Sequence, residues 1–136
     1  ILIAGANFGC GSSREQAVWA LADMGVRCVI STGFGEIFDS NCVRNGLLPI
    51  TLPADAVARL MVLAEGGERL TVDLDHCRIT GPNGLLQPFT LREERRQALL
   101  NGWDDTAQIL HQWGEAIDRF EAAQHKVQPW LYRPTA

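Results

Sequence analysis

"ILIAGANFGCGSSREQAVWALADMGVRCVIS", residues Ile1 to Ser31, sets the reading of the whole chain. Ile1 to Ala4 form an unbroken apolar run, the pattern of a buried strand. Gly5 to Gly11 make a glycine-rich turn. From Ser13 to Met24 the apolar positions Ala17, Ala20, Leu21 and Met24 return at helical spacing, and Gly25 is a natural C-terminal stop. "VRCVIS" is a second strand. Strand, loop, helix and strand in that order predict an α/β architecture.

The remaining sequence continues the pattern. "GEIFDSNCVRNG" predicts a short helix closed by Asn45-Gly46, and "LLPITL" a further strand. "ADAVARLMVLAEGG" is an amphipathic helix ended by a glycine pair. "RLTVDLDHCRITGPNGLLQPFTL" alternates as a small β-meander, with Pro82-Asn83-Gly84 as one of its turns. Thr90-x-x-Glu93 has the form of a capping box before a helix ending near Asn101-Gly102, and Asp104 caps a last helix through about Gln124. "QPWLY" reads as an extended tail. Without repeats, low-complexity tracts or a linker, residues 1–136 are expected to form a single domain.

Composition narrows the function classes. The 136 residues are 46% hydrophobic and 21% charged, with a net charge of −4. That balance suits a globular domain with a real core and argues against an electrostatic grip on nucleic acid or an anionic membrane. No apolar run approaches the roughly 20 residues needed to span a bilayer, and no secretory signal is visible. The expected location is cytoplasmic. In "LREERRQ", Glu93 and Glu94 offset Arg92, Arg95 and Arg96, as on a solvated helix face. The four cysteines, Cys10, Cys28, Cys42 and Cys77, have no CxxC pair. They are expected to be reduced thiols and not a self-contained metal or cluster site.

The loop "NFGCGSSRE", Asn7 to Glu15, admits two readings. Ser12-x-x-Glu15 and Ser13-x-x-Gln16 both fit a capping box, so a serine that only caps the helix accounts for the pattern. The loop is not a P-loop, because no lysine follows its last glycine, and it lacks the Gly-x-Ser-x-Gly of a nucleophile elbow. "GFGEIF", Gly33 to Phe38, imitates a dinucleotide fingerprint but has Phe38 where that motif needs glycine. The sharper reading is an anion site. Gly9 and Gly11 let backbone N–H groups turn inward, the following helix presents its positive end, and Arg14 adds a planar fork for a carboxylate. Such a site would bind a small polycarboxylate with a serine positioned at it.

These residues resemble a known family. "NFGCGSSREQAVWAL" followed by "GEIFDSNCVRNGLLPI" closely resembles the small subunits of 3-isopropylmalate dehydratase, in the aconitase superfamily. "LREERRQALLNGWDDTAQIL" is similar to that family's C-terminal region, so the likeness covers nearly the whole chain. The resemblance implies a swivelling β/β/α domain that closes over a large subunit carrying a [4Fe–4S] cluster, with no cofactor held by this chain. It implies Ser12 as the catalytic base, Arg14 as the carboxylate ligand, and Ser13 as a neighbouring substrate contact; Gly11 and Asn7 complete the expected substrate-binding set. The implied reaction isomerises 2-isopropylmalate to 3-isopropylmalate by dehydration and rehydration, in leucine biosynthesis, with the cluster iron acting on the departing hydroxyl. Gln16 and Val18 depart from the family pattern, and effects through neighbours are expected of them. The family's upstream segment, which reads the substrate side chain, is absent from the 136 residues. Related dehydratases acting on citraconate, 2-methylmalate or homoaconitate therefore stay open, as does a non-catalytic binding or oligomerisation module.

Of the remaining residues, Cys10 is expected to be packing. His76, His111 and His125 are expected at the surface, and Asn41, Arg44 and Asn45 are expected to serve structure. Trp130 is the candidate interface residue, and a homo-oligomer of the isolated subunit is a possible assembly.

Overall fold

A computed structural model describes residues 1–11 and 14–132. The chain forms two compact units, residues 1–103 and the helical residues from Asp104 onward.

The first unit is built on a parallel sheet of β1 (Leu2–Ile3), β2 (Cys28–Ser31) and β3 (Leu48–Thr51), in that order. Leu2 pairs with Val29, Ile3 with Ile30, and Cys28 through Ser31 with Leu48 through Thr51. Every residue of β2 is buried, as its continuous apolar run requires of a central strand covered on both faces. Pro49 is tolerated because β3 lies at the sheet edge.

Strand alternation divides the core in two. Val29 faces a cluster with Ala4, Val18, Phe38, Cys42 and Leu47, covered by α1 (Gln16–Asp23) and α2 (Glu36–Arg44). Cys28 and Ile30 face the other way, into a cluster with Leu48, Ile50, Ala56, Val57, Leu60 and Ile79. This second face is covered by α3 (Ala54–Glu65) and an antiparallel meander of β4 (Thr71–Asp73), β5 (Arg78–Thr80) and β6 (Leu86–Pro88). The Pro82–Gly84 turn falls where predicted, with Asn83 left-handed at φ 54°. The layers are thus helices, parallel sheet, then meander with α3, in agreement with the expected α/β class.

The helix α4 (Glu93–Asn101) follows, ended by Gly102 in the left-handed conformation. Arg92 occupies its cap position with no side-chain cap bond, so the Thr90 capping box is not formed. Its arginines are not simply solvated either. Arg95 donates to Asp39 of α2 at 2.6 Å, with both side chains less than a third exposed, and Arg96 grips Glu93 through two nitrogens. In the second unit, Asp104 caps α5 (Asp105–Val127) by accepting the Ala107 N–H at 2.7 Å, as predicted. The helix runs past Gln124, and the tail is not extended. Pro129–Tyr132 form a 3-10 turn because the Tyr132 hydroxyl donates to Gln124 Oε1 at 2.6 Å and its ring meets His125 edge-on.

Candidate functional site

The loop after β1 leaves the sheet at the carboxyl ends of the parallel strands, where open α/β sheets bind their ligands. Its backbone alternates in hand. Asn7, Gly9 and Gly11 have φ of +55°, +74° and +85°, while Phe8 and Cys10 keep negative φ. That alternation is the geometry from which N–H concavities for anions are made.

The loop is fastened from behind. Phe8 donates to the Gly33 carbonyl and accepts from the Gly35 N–H, both at 2.9 Å. A Cβ on Gly9 would enter the Phe38 ring, and one on Gly35 would lie 3.0 Å from the Gly9 carbonyl oxygen. Phe8 meets Phe38 edge-on at 5.4 Å, and Phe34 stacks on it at 6.2 Å. In "GFGEIF", Gly35 is therefore required by backbone approach to the loop, and Phe38 stands at the sixth position because its ring fills the space Gly9 leaves.

Ser31 completes the fastening. Its fully buried Oγ lies 2.7 Å from the Gly5 carbonyl and 2.8 Å from that of Gly33, and it accepts the Gly33 N–H at 3.2 Å. The single hydroxyl proton serves one carbonyl at a time. Sequence reasoning passes over Ser31 as the end of a strand. The signal available was a hydroxyl closing an otherwise apolar buried run.

The front of the loop is open. Asn7, Cys10, Gly11 and Arg14 are exposed, and space where a Cβ of Gly11 would stand is empty to 4 Å. The structure thus brings Asn7, Gly11 and Arg14 onto one solvent-facing loop. Ser12 and Ser13, the expected base and its neighbour, lie outside the described residues. Helix α1 begins at Gln16, with Glu15 at the cap position and its carbonyl accepting from Val18 and Trp19. The expected start at Ser13 is therefore corrected to Gln16. Val18 is fully buried, which explains an apolar residue there, whereas Gln16 is exposed.

The second family segment is structural at two of its positions. Asn41 is buried, and its carbonyl accepts Asn45 Nδ2 at 2.8 Å, while Asn45 Oδ1 accepts the Trp19 indole N–H at 2.9 Å and so joins α2 to α1. A cleft of about 540 Å³ opens on β1 and α3 between Ile3, Met61 and Leu70, but none of its lining residues belongs to the loop. The four cysteines are free. Their placement does not fit a cluster: Cys28 and Cys42 sit in the separate cores on opposite faces of the sheet. Burial pushes both thiols up to about 12, with Asp39 adding to the effect at Cys42. Among the described residues, no three His, Cys, Asp or Glu side chains gather to hold a metal ion, and no helix is long and apolar enough to cross a membrane.

Comparison with known proteins agrees with this geometry. Residues 1–55 match the aconitase C-terminal domain. A 3-isopropylmalate dehydratase small subunit from Rhodospirillum centenum is 54% identical over 132 residues, covering 96% of this chain and 64% of its own length. One from Granulibacter bethesdensis is 53% identical, covering 99% of this chain and 65% of its own length. The chain thus spans somewhat less than two thirds of these curated relatives. A crystal structure of 3-isopropylmalate dehydratase from Methanocaldococcus jannaschii superposes with a TM-score of 0.63 at 31% identity, over 87% of this chain and 66% of that one. With half its residues shared over nearly its whole length, and with the swivel-domain fold of the aconitase superfamily, the chain belongs to the family of 3-isopropylmalate dehydratase small subunits.

Proposed function

We propose that this chain supplies the loop-bearing side of a two-subunit hydro-lyase that converts 2-isopropylmalate to 3-isopropylmalate by dehydration and rehydration, in leucine biosynthesis in the cytoplasm. One observation carries the reading: a chain half identical to named small subunits fastens Phe8 and Gly9, which lead into "GSSRE", to Gly33, Gly35 and Phe38 at the carboxyl ends of its parallel strands, with Asn7, Gly11 and Arg14 exposed in front. On this reading residues 1–136 belong to one swivelling domain.

The roles follow from chemistry. Ser12 as alkoxide takes the C3 proton of 2-isopropylmalate as the C2 hydroxyl leaves, and at rehydration its hydroxyl returns a proton to C2 as hydroxide adds at C3. Arg14 binds a carboxylate through its planar fork, and Ser13, Gly11 and Asn7 line the same substrate. An alkoxide base needs preorganised donors and exclusion of water. The exposed Asn7, Gly11 and Arg14 do not exclude water by themselves, which supports completion of the site by a second chain. Since the cysteines here do not fit a cluster, the [4Fe–4S] group is assigned to that large subunit.

The test is anaerobic reconstitution of the chain with a cluster-bearing large subunit, following hydration of isopropylmaleate by loss of its ultraviolet absorbance. Activity is expected only with both chains, and it should vanish with Ser12→Ala while the complex still forms. Turnover retained by Ser12→Ala would refute the base assignment. A complex that ignores isopropylmaleate and hydrates citraconate would move the substrate assignment to that relative.

A further inference from the structure

The loop and the strand beside it are joined in two places whose registers disagree. The ladder of β1 and β2 ends with Ile3 opposite Ile30, where the Ala4 N–H donates to the Ile30 carbonyl at 2.8 Å. The two segments meet again with Phe8 opposite Phe34, through the bonds of Phe8 to Gly33 and Gly35. Residues 4–7 lie between these pairings on the loop side, but only residues 31–33 on the β2 side. The loop side therefore carries one residue too many, which makes a bulge. Bulges re-aim the chain that follows them. Here Asn7, at φ +55°, turns the backbone toward Gly11, and Ser12 follows Gly11 directly in the chain.

A side chain spans this bulge. Among the described residues, no backbone hydrogen bond crosses from residues 5–7 to residues 31–33. The Ser31 hydroxyl crosses instead, 2.7 Å from the Gly5 carbonyl on one side and 2.8 Å from the Gly33 carbonyl on the other. It also accepts the Gly33 N–H at 3.2 Å. The Gly33 carbonyl is the acceptor of the Phe8 N–H as well, so the hydroxyl and the second pairing meet at one atom. A methyl group in place of the hydroxyl neither donates nor accepts, and would leave the bulge uncrossed between its two ends.

We propose that Ser31 is a positioning residue for the reaction: its hydroxyl fixes the bulge and, through it, the aim of the "GSSRE" loop. This inference rests on the role of Ser12 proposed above. Proton transfer needs its atoms aligned at about 3–3.5 Å, and a misplacement of about 1 Å costs up to ~100-fold in rate. Carboxylate binding by Arg14 is less exacting, because its long side chain absorbs a small shift of the backbone. Loss of the Ser31 hydroxyl should therefore fall on kcat and spare KM.

The test compares Ser31→Ala with Ile79→Val. Ile79 is fully buried in β5, in a cluster that includes none of residues 5–11, and its truncation lowers stability on the same scale as loss of one hydrogen-bonding hydroxyl. Amide hydrogen exchange of the full chain, resolved by NMR at Phe8 and Gly35, should be at least ~10-fold faster in Ser31→Ala than in Ile79→Val, because the opening is local. In the enzyme reconstituted with its large subunit, kcat for isopropylmaleate should fall at least ~10-fold in Ser31→Ala, with KM within ~3-fold of wild type. Ile79→Val should keep wild-type values of both. Equal exchange in the two variants would overturn the proposal, and so would faster exchange with kcat unchanged or an equal fall of kcat in both. A wild-type complex inactive on isopropylmaleate and citraconate would refute the reaction and with it the catalytic half of the proposal, while the exchange rates would still decide the clasp.

Discussion

Replacing Gly9 by alanine tests whether the loop is held from behind by backbone approach. Two effects add at this position. A side chain at φ +74° is in the left-handed region, which disfavours a non-glycine residue by about 1–2 kcal/mol. The new Cβ also enters the ring of Phe38, which is only 2% exposed and cannot swing into solvent. Overpacking of that kind in a dense core destabilises by about 1–3 kcal/mol. The sum is about 2–5 kcal/mol, a large share of the roughly 5–15 kcal/mol that holds a domain together. Gly11→Ala is the internal control. Its φ of +85° imposes the same conformational penalty, but nothing lies within 4 Å of the added methyl. Urea unfolding of the two variants should separate them by about 1–3 kcal/mol, with Gly9→Ala the less stable. Pairing Gly9→Ala with Phe38→Leu should destabilise by less than the sum of the two single variants, since the ring is the obstacle. Equal destabilisation of the two glycine variants would refute the account of the loop as seated on Phe38.

Further outcomes follow from the same geometry. Ser31→Ala should lower stability by about 0.5–1.5 kcal/mol in urea unfolding, because the part-buried hydrogen bonds of its hydroxyl to Gly5 and Gly33 are lost; a loss within the scatter of surface substitutions would show that the clasp is idle. Cys28 and Cys42, with thiols pushed up to about 12, should stay unreactive toward a disulfide reagent in the folded protein, while exposed Cys10 reacts; labelling of either before unfolding would contradict their burial. Glu93 is held down to about 2 by Arg96 first and Gln97 second, against an ordinary value of 4.5. A depressed carboxyl contributes stability above its unfolded value and loses it as pH falls through the folded one. The stability difference between wild type and Glu93→Gln should thus be full above about pH 4.5, shrink toward pH 2, and narrow with added salt because the pair is exposed. A difference independent of pH would refute the ion-pair origin.

The sequence made the strands and helices legible because each carries its own period. "CVIS" is apolar at every position since β2 is covered on both faces, and "ADAVARL" places Ala56, Val57 and Leu60 on one side because α3 has a single buried face. The helix starts were less legible. Ser13 and Thr90 both begin patterns that suit a cap, yet the helices start at Gln16 and Glu93, where tertiary contacts of Val18 and Arg95 set the register. The ion pair between Arg95 and Asp39 joins residues 56 positions apart, a relation no local pattern announces. The site was legible as a loop and only half legible as a structure. Its alternating glycines are visible in "NFGCG", but the parts that hold it, Ser31, Gly35 and Phe38, come from a second segment whose motif-like spelling points elsewhere.

The loop's two sides separate what fold and function ask of it. Behind it, Gly9, Ser31, Gly35 and Phe38 make buried contacts, so substitutions there act on stability before they act on anything else. In front, Asn7 and Arg14 are exposed, and a change that keeps the backbone conformation leaves the core untouched. Asn7 illustrates the division, because its φ of +55° suits asparagine or glycine and disfavours a β-branched residue. Asn7→Gly should therefore fold normally, and any fall in turnover of the reconstituted enzyme would be assignable to the lost amide. Asn7→Val adds backbone strain to the same loss, so it should reduce stability as well. If Asn7→Gly left turnover unchanged while Asn7→Val reduced it, Asn7 would serve only the shape of the loop. If both reduced turnover alike and only Asn7→Val unfolded more easily, the amide itself would be a substrate contact.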